Sequence, residues 1–73
     1  MLRVLIAEDE EMIRKGLVYT TDWLSMDCVV VAEAANGQEG LEKILECRPD
    51  VVIADICMPF LDGIEMIKRA SET

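Results

Sequence analysis

Histidine is absent from this sequence, and no two of its three cysteines, Cys28, Cys47 and Cys57, stand in a C-x-x-C spacing. A zinc site, which gathers thiolates and imidazoles, is therefore not expected. Basic residues are scarce: seven Lys and Arg face fifteen Asp and Glu, a formal net charge of -8. That balance speaks against a nucleic-acid surface, where Lys and Arg must neutralise phosphates, and against an anionic membrane surface. No apolar stretch approaches the ~20 residues of a membrane helix. Met1-Leu2-Arg3 runs straight into a short apolar segment closed by acids, unlike a signal peptide. A Walker-type G-x-x-x-x-G-K loop is missing too, so ATP is not expected as a direct phosphoryl donor. Internal repeats, low-complexity tracts and linkers are likewise absent. The odd cysteine count without a disulfide pattern favours a reducing, cytoplasmic compartment, and the cysteines in apolar runs read as buried free thiols.

What remains is 73 residues, 52% hydrophobic and 30% charged, enough for one small globular domain with a core near the lower limit for independent folding. Short apolar runs alternate with helical patterns. Leu2 to Ala7 carries Val4, Leu5 and Ile6 and stops at Glu8-Asp9-Glu10-Glu11; a run apolar on both faces suits a parallel-sheet strand covered on both sides. From about Glu10 to Leu24, Ile13, Leu17 and Leu24, with Thr20 between, fall near a helical stripe, and acids crowd its first turn. Cys28 to Ala32 is a second strand-like run. Asn36-Gly37 then opens a helix bearing Leu41, Ile44 and Leu45, with Asn36 able to accept a bond from an early backbone N–H and Glu39 three residues on. Pro49 stops that helix. Val51-Val52-Ile53-Ala54 is the third strand, ending at Asp55; Pro59 and Gly63 bracket a loop, and Asp62 with Glu65 repeats the capping pattern before a helix carrying Ile64 and Ile67. This order predicts βαβ units around a parallel sheet with helices on both faces.

Ligands of open parallel α/β sheets bind beyond the carboxyl ends of the strands, where the strand order reverses. Two strands end in acids there: Glu8-Asp9 follows Leu5-Ile6-Ala7, and Asp55 follows Val51 to Ala54. With a 2-1-3 strand order, three carboxylates from two strands converge. Their mutual repulsion would raise at least one pKa, and a hard divalent cation relieves it. Mg²⁺ takes oxygen ligands and retains waters, which suits a shallow acidic pocket. It can orient a phosphoryl donor while an aspartate oxygen attacks phosphorus in line. Taken singly, each acid has a plainer reading: Asp55 as a turn residue, Glu8 and Asp9 as first-turn acids, Asp62-Gly63 as a turn and cap. Their coincidence at one sheet edge favours the site.

Val4-Leu5-Ile6-Ala7-Glu8-Asp9-Glu10 resembles the first-strand signature of response-regulator receiver domains. Val51-Val52-Ile53-Ala54-Asp55-Ile56-Cys57-Met58-Pro59 with Asp62-Gly63 resembles the phosphoacceptor strand and the following loop of that family, and Asn36-Gly37 sits where its second helix starts. The resemblance covers essentially the whole chain. It implies a flavodoxin-like α/β receiver fold with parallel strand order 2-1-3. Asp55 would be phosphorylated by a sensor histidine kinase, with Mg²⁺ held by Asp9 directly, by Glu8 through water, by Asp55, and by the backbone carbonyl of Cys57. The first acid of the pair is more often Asp in that family; here it is Glu8. Ile13-Arg14-Lys15-Gly16-Leu17 and Thr21-Asp22-Trp23 further resemble regulators with an arabinose-regulator-type DNA-binding output domain, although Trp23 can equally pack the end of the first helix onto the sheet.

Complete receivers resembling this family have five strands and five helices, so residues 1–73 are expected to form a partial receiver domain, truncated to about three βα units. The Ser/Thr and Lys that contact the phosphoryl group in such domains have no counterpart here, and DNA would be reached only through an absent output domain. The third strand would then expose an apolar edge, and self-association through it is expected. Two other readings stand beside the receiver. One is a phosphohydrolase with Asp55 as nucleophile, which Cys57 disfavours by occupying the place of the usual second Asp. The other is a half-flavodoxin-like fragment with a vestigial site. An EF-hand loop is excluded by the lack of alternating oxygen ligands between Asp55 and Gly63.

Overall fold

A computed structural model describes residues 1–54 and Lys68. Three parallel strands, β1 (Leu2–Ala7), β2 (Cys28–Ala34) and β3 (Val51–Ala54), form a sheet in the order β2-β1-β3. Helix α1 (Glu11–Thr20) and a short 3₁₀ turn (Leu24–Met26) join β1 to β2, and α2 (Gly37–Cys47) joins β2 to β3. The expected strand order and the alternation of strands with helices are both present. The helix expected after Asp62 falls, apart from Lys68, outside the described residues.

β1 is central because its sequence is apolar on both faces: Val4, Leu5, Ile6 and Ala7 are all at most 1% exposed. Alternation divides them between two layers. Leu5 and Ala7 join Ala34, with Ala32, Leu41, Ile44, Val52 and Ala54 packed around them, which is the face α2 covers. Val4 and Ile6 point to the opposite face, where α1 lies. Small side chains in this cluster let α2 come close to the sheet, and Gly37 and Gly40 are its buried residues.

The strand–helix joints are closed by side chains. Asn36 Oδ1 accepts the Glu39 N–H at 2.8 Å, the expected cap of α2. At the other end of α2, the Arg3 guanidinium donates to the carbonyls of Cys47 and Arg48, placing a cation against the negative end of the helix dipole. The Arg3 N–H donates to Asp50 Oδ2 at 2.8 Å and the Asp50 N–H to the Arg3 carbonyl at 2.8 Å, so one residue of β1 fixes where β3 begins.

Three expectations need correction. The first helix stops at Thr20, not near Leu24: Thr21 is extended (φ -88, ψ 133), and the Trp23 indole N–H donates back to the carbonyls of Leu17 and Val18. Leu24 lies on the 3₁₀ turn and is 72% exposed, and Ile13 is also exposed, so neither belongs to the buried stripe. The face of α1 turned toward the protein keeps the expected Leu17 and adds Arg14 and Val18. β2 runs two residues beyond Ala32, to Ala34, and a bulge shifts its register with β1 between Val4 and Leu5. Cys28 and Cys47 are free thiols, as expected, but half-buried; Cys57 lies outside the described residues.

Candidate functional site

The C-terminal sheet edge is level across all three strands. Ala7 pairs with Ala34 on one side and with Ala54 on the other, so the chain leaves β1, β2 and β3 at the same height. Three segments therefore start from one edge: Glu8-Asp9-Glu10 from β1, Ala35-Asn36 from β2, and the segment beginning with Asp55 from β3. Asp55 and Cys57 themselves lie outside the described residues.

Glu8 continues the line of β1. Its N–H donates to the Ala34 carbonyl at 2.9 Å, and the residue is buried, the one charged residue among the buried ones described. Its carboxylate Oε1 accepts the Glu10 N–H at 3.4 Å, and its backbone carbonyl accepts Arg14 Nη1 at 2.8 Å. Asp9 is exposed at the same edge. The two expected acids of β1 thus differ: Glu8 is held against the sheet, and Asp9 faces solvent, open to an incoming group. Among the described residues no three acids or cysteines assemble into a metal cluster; the other two members of the expected set, Asp55 and Cys57, were not among those residues.

Beside this edge lies a charged group that sequence reading left without a role. Arg14 Nε meets Glu33 Oε1 at 3.3 Å, and Lys15 Nζ meets the same carboxylate at 3.0 and 3.2 Å. Glu33 pairs in register with Ile6 and so shares its α1-side face. The Glu33 carboxylate, accepting a hydrogen bond from Lys15, raises the Lys15 pKa. The signal was present in the sequence: Glu33 is a lone charge inside an apolar strand, and Arg14 follows Glu10 by one helical turn. On α1, Lys15 Nζ also lies 5.9 Å from the Tyr19 ring centroid, a surface cation–π contact.

An open parallel α/β sheet in the order 2-1-3, with an acidic pair at the carboxyl end of its central strand, defines the class: a flavodoxin-like receiver fold. The chain belongs to the response regulator receiver domain family, whose profile matches residues 4–73. It is 39% identical over 71 residues to the uncharacterized transcriptional regulatory protein YesN of Bacillus subtilis, covering 97% of this chain and 19% of that protein. It is 44% identical over 70 residues to protein-glutamate methylesterase/protein-glutamine glutaminase 2 of Methanosarcina acetivorans, covering 93% of this chain and 19% of that protein. Among solved structures, the REC domain of AraT, a response regulator from Geobacillus stearothermophilus, superposes with a TM-score of 0.90 at 45% identity, covering 97% of this chain and 55% of that one. The chain thus spans about a fifth of these two curated relatives and about half of the AraT chain. No described helix is long and apolar enough to cross a membrane.

Proposed function

We propose that this chain is the phosphate-accepting part of a two-component response regulator, with Asp55 taking the phosphoryl group from a sensor histidine kinase. The observation that carries the reading is the register of the central sheet. Ala7 and Ala54 are paired neighbours, so Glu8-Asp9 and Asp55 are the residues that follow two adjacent parallel strands at one edge. An Asp55 carboxylate oxygen attacks phosphorus in line, and the bond from phosphorus to the donor breaks as the aspartyl phosphate forms.

The donor set fits Mg²⁺. Glu8 and Asp9 offer hard carboxylate oxygens, joined on this reading by Asp55 and the backbone carbonyl of Cys57, with no nitrogen or thiolate required. When bound, Mg²⁺ supplies charge neutralisation and alignment of the phosphoryl group. Asp9 would hold it directly, its exposed carboxylate being free of the sheet. Glu8, buried and already accepting the Glu10 N–H, would act through a bound water. Residues 1–73 would form a partial receiver domain, the first three βα units. The transcriptional relative supports a transcriptional output carried outside this chain, and the resemblance of Ile13-Arg14-Lys15-Gly16-Leu17 and Thr21-Asp22-Trp23 favours an output domain of arabinose-regulator type. The far edge of β3 would pair with a further strand, from this polypeptide or a second copy. The chain's own role is that of acceptor, without catalytic turnover, in a cytoplasmic protein.

The test is incubation with Mg²⁺ and a small acyl-phosphate donor, followed by intact mass. One phosphoryl adduct on the wild type, absent from Asp55→Asn, is expected. A folded wild type with no adduct, or an equal adduct on Asp55→Asn, would reject the assignment.

A further inference from the structure

The acidic pair after β1 is held by more than the end of a strand. The Glu8 N–H is bound to β2 through the Ala34 carbonyl at 2.9 Å. Its carbonyl oxygen, part of the peptide that links Glu8 to Asp9, accepts Arg14 Nη1 at 2.8 Å. Arg14 in turn is anchored at both ends. Its backbone N–H donates to the Glu10 carbonyl at 2.9 Å, and its Nε meets Glu33 Oε1 at 3.3 Å with the Arg14 side chain only 12% exposed. A rigid planar fork with donors on two of its sides is suited to this task, and a lysine is not. Because a peptide unit is planar, fixing the Glu8 carbonyl fixes the plane from which Asp9 leaves the sheet.

We infer that Arg14 is a positioning residue for the acidic pair: bridging Glu33 on β2 and the Glu8 carbonyl, it orients the Glu8–Asp9 peptide and thereby sets the Asp9 carboxylate toward a divalent cation. The inference rests on the proposed metal role of Asp9. It has a consequence opposite in sign to plain electrostatics. Removing a positive charge close to a cation site, and leaving Glu33 with one partner fewer, favours cation binding through charge alone. Losing the brace weakens it, as loss of groups that orient metal ligands does, by about tenfold or more.

The experiment titrates the full chain with Mn²⁺, read by electron paramagnetic resonance, with amide order parameters measured by NMR relaxation without metal. Arg14→Met should bind Mn²⁺ about tenfold more weakly than the wild type. Arg14→Lys, which keeps the charge and guards against loss of fold, should also bind more weakly. Lys15→Met, which removes a charge from the same Glu33 and leaves the Arg14 bond to the Glu8 carbonyl in place, should bind at least as tightly as the wild type. Without metal, the Asp9 amide order parameter should fall from about 0.85 toward 0.6 in Arg14→Met. Binding by folded Arg14→Met that equals or exceeds the wild type overturns the inference, as does an unchanged Asp9 order parameter. Failure of the wild type to bind Mn²⁺ rejects the metal reading instead, and the order parameters then decide the brace alone.

Discussion

Leu5→Ala and Leu24→Ala form a pair whose outcomes should diverge sharply. Leu5 is 0% exposed at the centre of the sheet, in contact with the residues α2 brings down onto it. Leu24 is 72% exposed on the 3₁₀ turn after α1. Truncating a fully buried leucine removes its transfer free energy and leaves a cavity, together about 2–5 kcal/mol. The small neighbours Ala7, Ala34, Ala32 and Ala54 have no side-chain length with which to refill the space, so the upper part of that range is expected. A domain of this size is stable by only about 4–11 kcal/mol, so Leu5→Ala should remove a large fraction of the total. Leu24→Ala should stay within about 0.5 kcal/mol, as surface changes do. Urea denaturation followed by Trp23 fluorescence measures both, since Trp23 closes the end of α1 and reports on its packing. A Leu24→Ala cost comparable to that of Leu5→Ala would mean that α1 continues through Leu24 as a buried stripe, contrary to the structure. A Leu5→Ala cost below about 1 kcal/mol would refute the placement of the core itself.

Other perturbations follow from local geometry. Gly16 lies inside α1 with nothing within 4 Å of where a Cβ would stand, so Gly16→Ala should stabilise by about 0.5–1 kcal/mol, measured as a raised urea midpoint at constant m-value. Asn36→Ala removes the acceptor for the Glu39 N–H and should cost about 0.5–2 kcal/mol, seen in the same assay. The Lys15 pKa is raised above its ordinary 10.5 by the hydrogen bond from its ammonium to Glu33. Its contribution to stability is therefore complete below the unfolded-state pKa and lost as pH rises through the higher folded-state value. The stability difference between wild type and Lys15→Met should accordingly be constant through neutral pH and shrink only above 10.5.

Much of the fold was legible in the residues. β1 and β3 have the predicted ends because an apolar run bounded by acids or by Pro49 permits little else. The 2-1-3 order implied by the resemblance to receiver domains is the one the sheet adopts, and Asn36 announces the start of α2 by its own cap. What escaped reading depends on contacts distant in sequence. Leu17 and Leu24 share a heptad spacing, yet the Trp23 indole terminates the helix from outside it, which no periodicity can reveal. Three successive valines, Val29 to Val31, carry no alternation, so the register of β2 and its bulge were left unspecified. Glu33 sits within a strand because Arg14 and Lys15 reach it across from α1; a charge in an apolar run looks like a strand end until its partners are seen. Of the candidate site, Glu8 and Asp9 fall at the expected edge. The division of labour between them, one held and one open, required the hydrogen bonds of the Glu8 backbone.

On the proposed reading, the acids after β1 and the aspartate after β3 act as one metal-assisted acceptor site. The measurement that bears on it most directly is the initial rate of Asp55 phosphorylation by an acyl-phosphate donor across a range of Mg²⁺ concentrations, in the wild type and in Asp9→Asn. The rate should rise with Mg²⁺ and saturate in the wild type, and stay low and nearly independent of Mg²⁺ in folded Asp9→Asn. Equal Mg²⁺ dependence in the two proteins, or full phosphorylation of the wild type in chelator, would contradict it.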